Sequence, residues 1–119
     1  MFTYLVKTMG CKANVYDSLL LEQGLSELGG IPAENENPDL FILNSCTVTN
    51  EADKQCVREV NRIKRKSPST WTVVTGCLAQ VDAKWIQDQS HADLIVPNDS
   101  KESLKNLIAK HFLIEKKLQ

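Results

Sequence analysis

Short apolar runs alternate along this chain with longer stretches in which apolar residues recur every three or four positions. Phe2 to Val6 alternates aromatic and apolar residues around Thr3 and predicts a first strand. Asn14 to Leu28 carries Val15, Leu19, Leu20, Leu21, Leu25 and Leu28, a helical stripe that Gly29-Gly30 ends. Residues 31–38 are polar and hold at most a short edge strand before a loop. Asp39 to Leu43 is a second strand, whose unbroken apolar character predicts burial on both faces, as in a parallel sheet. Asn50 to Lys66 predicts a second helix with Ala52, Cys56, Val57, Val60 and Ile63 turned inward, and Ser67-Pro68-Ser69 breaks it. Trp71 to Thr75 is a third strand, Leu78 to Gln89 a short helix and Leu94 to Val96 a fourth strand. Asp99 or Ser100 then caps a last helix through Leu104, Leu107, Ile108 and Phe112.

Strands and helices of these lengths in strict alternation predict a three-layer α/β domain. The expected sheet is mostly parallel and open, with helices on both faces, in the flavodoxin-like or Rossmann-like manner. At 119 residues the chain makes one domain with a core that needs no staples. A net charge of −1 gives no global push toward nucleic acid or membrane, so such partners have to be argued from local patches. No apolar run approaches the ~20 residues of a membrane-spanning helix. Met1 to Lys7 lacks the basic-then-apolar order of a signal peptide, which points to the cytoplasm. In that reducing setting cysteines are expected to be free, metal-bound or catalytic rather than disulfide-linked.

Three of the four cysteines hold equivalent places. Cys11, Cys46 and Cys77 each follow a predicted strand and precede a helix, with 34 and 30 residues intervening. In open α/β sheets ligands bind outside the carboxyl ends of the strands. If the three strands are neighbours, the thiols converge there, each beside helix amides that favour a thiolate. Gly10 and Gly76, each directly before its cysteine, permit tight turns and close backbone approach. Structural zinc ordinarily takes four protein ligands, often in close C-x-x-C pairs, which this chain lacks. Iron–sulfur clusters accept thiolates far apart in sequence, and three of them leave one iron of a four-iron cluster open. The plainer alternative is that these are buried small hydrophobes. Cys56 fits that alternative, since it falls on the apolar stripe of the second helix.

At these residues the sequence resembles the N-terminal domain of the MiaB-like radical S-adenosylmethionine methylthiotransferases. The blocks that carry the resemblance are Gly10-Cys11-Lys12-Ala13-Asn14-Val15-Tyr16-Asp17-Ser18, Asn44-Ser45-Cys46-Thr47-Val48-Thr49-Asn50-Glu51-Ala52-Asp53 and Val74-Thr75-Gly76-Cys77-Leu78-Ala79-Gln80. They occur in the family's order and span most of the chain. The form after Cys46 looks most like the branch acting on N6-threonylcarbamoyladenosine beside the tRNA anticodon. The isopentenyladenosine and ribosomal-protein branches usually read differently there. The resemblance implies that Cys11, Cys46 and Cys77 ligate an auxiliary 4Fe-4S cluster whose open iron carries the sulfur destined for product. It gives Cys56 no ligand role. It also implies a radical S-adenosylmethionine domain with a second 4Fe-4S cluster and an RNA-binding TRAM domain. Neither is in this chain, where no cysteine follows Cys77. The chain is therefore expected to be one domain of a transferase, with no catalytic residue of its own.

Lys54, Arg58, Arg62, Lys64, Arg65 and Lys66 are the one basic concentration, read as a solvated helix face or as phosphate contacts to tRNA. Asn14 and Asn44 flank the cysteine turns and either shape a loop or hydrogen-bond a sulfur. Asp17 and the acidic Glu51 and Asp53 suit helix N-termini. His91 and His111 lack ligand-like company and read as surface residues. Two rival functions stay open: a stand-alone iron–sulfur or sulfur carrier, and a flavodoxin-like or response-regulator-like binding module. The second lacks an acidic pocket or phosphate loop at the first strand end, where Gly10-Cys11-Lys12 stands instead.

Overall fold

The apolar runs become the strands of one sheet, and the periodic stretches become the helices that cover it. The computed structural model describes residues 2–8, 12–34, 38–45, 50–76, 83–96 and 106–110. In chain order these form β1 (Phe2–Thr8), α1 (Lys12–Glu27), β2 (Gly30–Pro32), β3 (Leu40–Ser45), α2 (Asn50–Lys66), β4 (Trp71–Gly76), α3 (Ala83–Gln89) and β5 (Leu94–Ile95), with residues 106–110 helical. The strand order is β2-β1-β3-β4-β5, and every described pairing is parallel. From β1 the chain moves outward to β2, then returns past β1 to β3. The order therefore reverses between β1 and β3, the crevice where doubly wound sheets bind ligands.

The period of two sorts the side chains between two apolar layers. Phe2, Tyr4, Leu40, Ile42 and Val73 face Leu25 of α1, and Val96 and Ile108 join them. Phe41, Leu43 and Val74 face Cys56, Val60 and Ile63 of α2 and Ile86 of α3. All six residues of β3 are buried, as expected for a central strand covered on both faces. Cys56 sits in the second layer, where its place on the apolar stripe puts it. At the amino rim, the Thr3 N–H donates to Asp39 Oδ2 (3.0 Å) and the Asp39 N–H donates to Thr3 Oγ1 (3.0 Å), pinning β1 to the entry of β3.

Two expectations change. Periodicity puts Leu19 and Leu20 on the buried stripe of α1, yet they are 59% and 50% exposed. The helix instead turns Ser18, Leu21, Leu25 and Leu28 toward the sheet, and spacings of three, four and three keep these on one face. Positions 19 and 20 are carried about 100° and 200° away from it. The second strand does not end at Leu43 but continues through Asn44 and Ser45, both fully buried. The Asn44 side-chain amide donates to Ser18 and the Ser45 hydroxyl to the Thr75 carbonyl, so a polar sequence does not mark a turn there. The Gly29 end of α1 is as read, with φ at +92°. Of the predicted Leu78–Gln89 helix, residues 78–82 lie outside the described residues, as do Asp99, Ser100, Leu104 and Phe112 of the last helix.

Candidate functional site at the carboxyl rim

Because β1, β3 and β4 are adjacent and parallel, their carboxyl ends share one rim. The register pairs Thr8 with Asn44, Asn44 with Thr75, and Ser45 with Gly76. Cys11, Cys46 and Cys77 themselves lie outside the described residues, as do Gly10 and Thr49. Their covalent neighbours do not: Lys12 opens α1, Ser45 closes β3 and Gly76 closes β4. Among the described residues no group of three or more His, Cys, Asp or Glu could hold a metal ion. None of the described helices is long and apolar enough to cross a membrane.

Under this rim, on the α1 face, the apolar layer gives way to a row of polar side chains. Thr8, Asn44 and Thr75 stand in register across three strands, each two residues beyond the last apolar position of its strand on that face. Ser18 of α1 reaches into the row. Its hydroxyl lies 2.5 Å from Thr8 Oγ1 and accepts from Asn44 Nδ2 at 3.1 Å. The Ser45 hydroxyl donates to the Thr75 carbonyl at 2.6 Å, joining β3 to β4 through a side chain. Asn44, by its sequence a flank of a cysteine turn, is instead a strand residue that ties β3 to α1. The Thr75 hydroxyl is buried and has no hydrogen-bond partner among the described residues. Sequence pattern missed Thr8, Ser18 and Thr75. A polar residue at the inward phase of each strand end was the available signal.

Gly76 closes β4 at φ +98°, a left-handed conformation that L side chains rarely adopt. A Cβ there would lie 2.7 Å from the Ser45 nitrogen and 2.8 Å from Asn44 Oδ1, and closer still to the Ser45 carbonyl oxygen. The missing side chain is thus what lets the end of β4 close against the end of β3.

The basic face of α2 resolves into residues with different duties. Lys64 Nζ lies 2.7 Å from Asp93 Oδ2 and donates to the Thr70 carbonyl at 2.7 Å, so it fastens α2 to the strands on that side. Arg62 donates to both Glu59 oxygens, at 3.0 and 3.1 Å, and Lys7 of β1 reaches Glu59 Oε1 at 2.5 Å. The Arg62 hydrogen bonds, with help from Lys7 and against the cost of burial, hold the Glu59 carboxyl at about 2 instead of the usual 4.5. Lys54, Arg58, Arg65 and Lys66 are exposed. A groove of about 510 Å³ runs along this face between Gln55, Arg58, Glu59, Asn61, Arg62 and Arg65. The three-residue spacing of Glu59 and Arg62 was the overlooked sign of their pairing. His91 is exposed, its N–H donating to Asn61 Oδ1, and His111 lies outside the described residues. Asn14, Tyr16, Asp17, Glu51 and Asp53 fall within α1 and α2, with side chains outside the described set.

The family model described as "Uncharacterized protein family UPF0004" matches residues 3–97. A tRNA-2-methylthio-N(6)-dimethylallyladenosine synthase of Neorickettsia sennetsu is 38% identical over 111 residues, covering 88% of this chain and 24% of that protein. A threonylcarbamoyladenosine tRNA methylthiotransferase MtaB of Aquifex aeolicus is 29% identical over 106 residues, covering 88% of this chain and 26% of that protein. The MtaB of Rickettsia prowazekii is 32% identical over 96 residues, 81% of this chain and 21% of its own length. The chain thus spans about a quarter of the length of these relatives.

Proposed function

The chain belongs to the UPF0004 family, the N-terminal domain of MiaB-like methylthiotransferases, and from that premise we propose that it is the auxiliary 4Fe-4S-binding domain of a tRNA methylthiotransferase. The observation that carries this reading is the shared rim: three neighbouring parallel strands end in register, and each is followed by one of the family's cysteine blocks. Ser45 and Gly76 are paired across β3 and β4, and each directly precedes a cysteine in the sequence. Two features of the described rim fit an iron–sulfur group: Gly76 lets two strand ends approach closely, and Thr75 offers a buried hydroxyl that no described residue accepts.

Cys11, Cys46 and Cys77 would hold the cluster as thiolates, next to α1 and α2, whose amide ends favour negative charge. When bound, the cluster would supply sulfur at the iron that no cysteine of this chain ligates. The chain's own part is to fix three thiolates on a rigid sheet edge, with the Thr8–Ser18–Asn44 network holding β1, β3 and α1 in place beneath them. In the whole protein this reading implies S-adenosylmethionine and a second 4Fe-4S cluster on a radical S-adenosylmethionine domain. A TRAM domain for tRNA and a cytoplasmic location complete it.

The substrate in this proposal is N6-threonylcarbamoyladenosine, supported by the Cys46-Thr47-Val48-Thr49-Asn50 form and by relatives named MtaB. The 38% identity to a dimethylallyladenosine synthase favours the second reading, methylthiolation of dimethylallyladenosine. Mass spectrometry of tRNA nucleosides from cells with and without the whole protein separates the two by which methylthio nucleoside disappears.

Anaerobic reconstitution of this chain tests the cluster itself. The expected result is a brown chromophore with about four irons per chain, retained in Cys56→Ala and lost in Cys46→Ala. Equal colour in Cys46→Ala, or none in the parent, rejects the cluster assignment.

A further inference from the structure

Charge is unevenly spread along this chain. It holds 14 basic and 15 acidic residues for a net −1, yet six of the basic residues and only one carboxylate, Glu59, fall between Lys54 and Lys66. That segment is therefore +5 and the rest of the chain −6. A polyanion is repelled by most of this molecule and drawn to one helix. Along that helix lies the groove of about 510 Å³, whose described lining of Gln55, Arg58, Glu59, Asn61, Arg62 and Arg65 holds no apolar residue. A protein partner ordinarily buries an apolar patch at the centre of its interface, which this lining does not supply. A phosphodiester backbone needs only positive charge and donors, and a guanidinium meets two phosphate oxygens at once. The walls are held in place. Glu59 accepts from Nε and Nη2 of Arg62, at 3.0 and 3.1 Å, and from Lys7 of β1. Asn61 donates to the Gln89 carbonyl at 3.3 Å and accepts from the His91 N–H at 2.9 Å. The direction of the groove is set as well. Glu59 meets Lys7 near the carboxyl end of β1, and Lys64 meets the Thr70 carbonyl just before β4 begins. The helix therefore descends from the carboxyl rim, and the Gln55 end of the groove is the end nearer to it.

We propose that this groove seats the phosphodiester backbone of tRNA, with the guanidinium groups of Arg58, Arg62 and Arg65 on its phosphates, so that this domain contacts RNA itself. RNA is the polyanion chosen because relatives of the chain are named for tRNA modification. The inference rests on the reading above that the whole protein acts on tRNA; it does not rest on the cluster.

Four metal-free proteins test it: the parent chain, Arg58→Gln, Arg65→Gln and Lys110→Gln, each titrated into a fluorescently labelled, unmodified tRNA transcript at several salt concentrations. Each variant loses one positive charge. Lys110 is exposed at the end of the 106–110 helical segment, whose Ile108 packs in the α1 layer on the other side of the sheet. The parent is expected to bind more weakly as salt rises. Arg58→Gln and Arg65→Gln are each expected to bind several-fold more weakly at low salt and to lower the log–log salt slope by about one unit. Lys110→Gln is expected to keep the parent's slope. Circular dichroism separates lost binding from lost fold, and Arg65→Gln alone decides the matter if Arg58→Gln unfolds. An equal loss in Lys110→Gln would mean that RNA senses only overall charge, and would overturn the proposal. So would a labelled poly-glutamate peptide that binds the parent as tightly as tRNA does, since the groove would then be a site for acidic peptides. A parent chain that does not bind tRNA would overturn it while leaving the tRNA reading of the whole protein intact, because that reading is decided by the nucleosides of cells lacking the protein.

Discussion

At Gly76 one residue decides how two strands end. Its φ of +98° and the crowding of a would-be Cβ against the Ser45 backbone act together. Gly76→Ala should therefore cost about 2–4 kcal/mol, combining a left-handed penalty with a backbone displacement. Denaturant unfolding of the metal-free chain measures this, and a loss under about 0.5 kcal/mol would mean that the strand ends can separate without penalty. The glycine was legible in the sequence as a residue before a cysteine. Its reason was not, because the atoms that forbid a side chain belong to Asn44 and Ser45, some thirty residues away. The same holds for Ser18, which sits mid-helix among leucines and looks like a polar interruption. Only its meeting with Thr8 and Asn44 explains why it faces inward while Leu19 and Leu20 do not.

Among the elements, α2 was the most readable, its bounds and its buried stripe both following from period and break signals. Its charged face was less so. Six basic residues in a row of turns looked uniform, yet Lys64 is spent on Asp93 and Arg62 on Glu59. Glu59 fastens α2 to β1 through Lys7, and its carboxyl, held at about 2 against an ordinary 4.5, makes that tie dependent on pH. A lowered folded value means that the stabilisation is fully present above about pH 4.5 and is lost as pH falls toward 2. Allowing for the partial exposure of Lys7 and Arg62, the tie contributes about 1–2 kcal/mol. Unfolding free energies of the parent and Glu59→Gln should differ by that amount at pH 6 and converge as pH falls to about 2. A gap that stays constant across this range would show that Glu59 acts through packing instead.

For the molecule as a whole, the sheet order places the carboxyl ends of β1, β3 and β4 side by side, with an arginine-lined groove along the flank of α2. Under the tRNA reading, that groove is a phosphate track. Reversing charge at Arg58 and Arg62 in the whole enzyme should weaken tRNA binding and flatten its salt dependence, by about one unit of log–log slope for each phosphate no longer neutralised. Binding unchanged at several salt concentrations would return this face to a solvated surface. The fold by itself does not choose among these functions, since doubly wound sheets of this order serve many.

By itself the sequence determined what local periodicity and chain chemistry encode: the alternation of strands and helices, the doubly buried β3, the helix bounds of α2, and three cysteines each beyond a strand. Those signals lie within a few residues of one another, so they survive without a fold. Only the tertiary structure decided the order β2-β1-β3-β4-β5, the face that α1 turns inward, the polar row beneath the rim and the pairing of Glu59. Each of these depends on atoms brought together from distant parts of the chain, where packing and hydrogen bonding choose among options that a local pattern leaves equal.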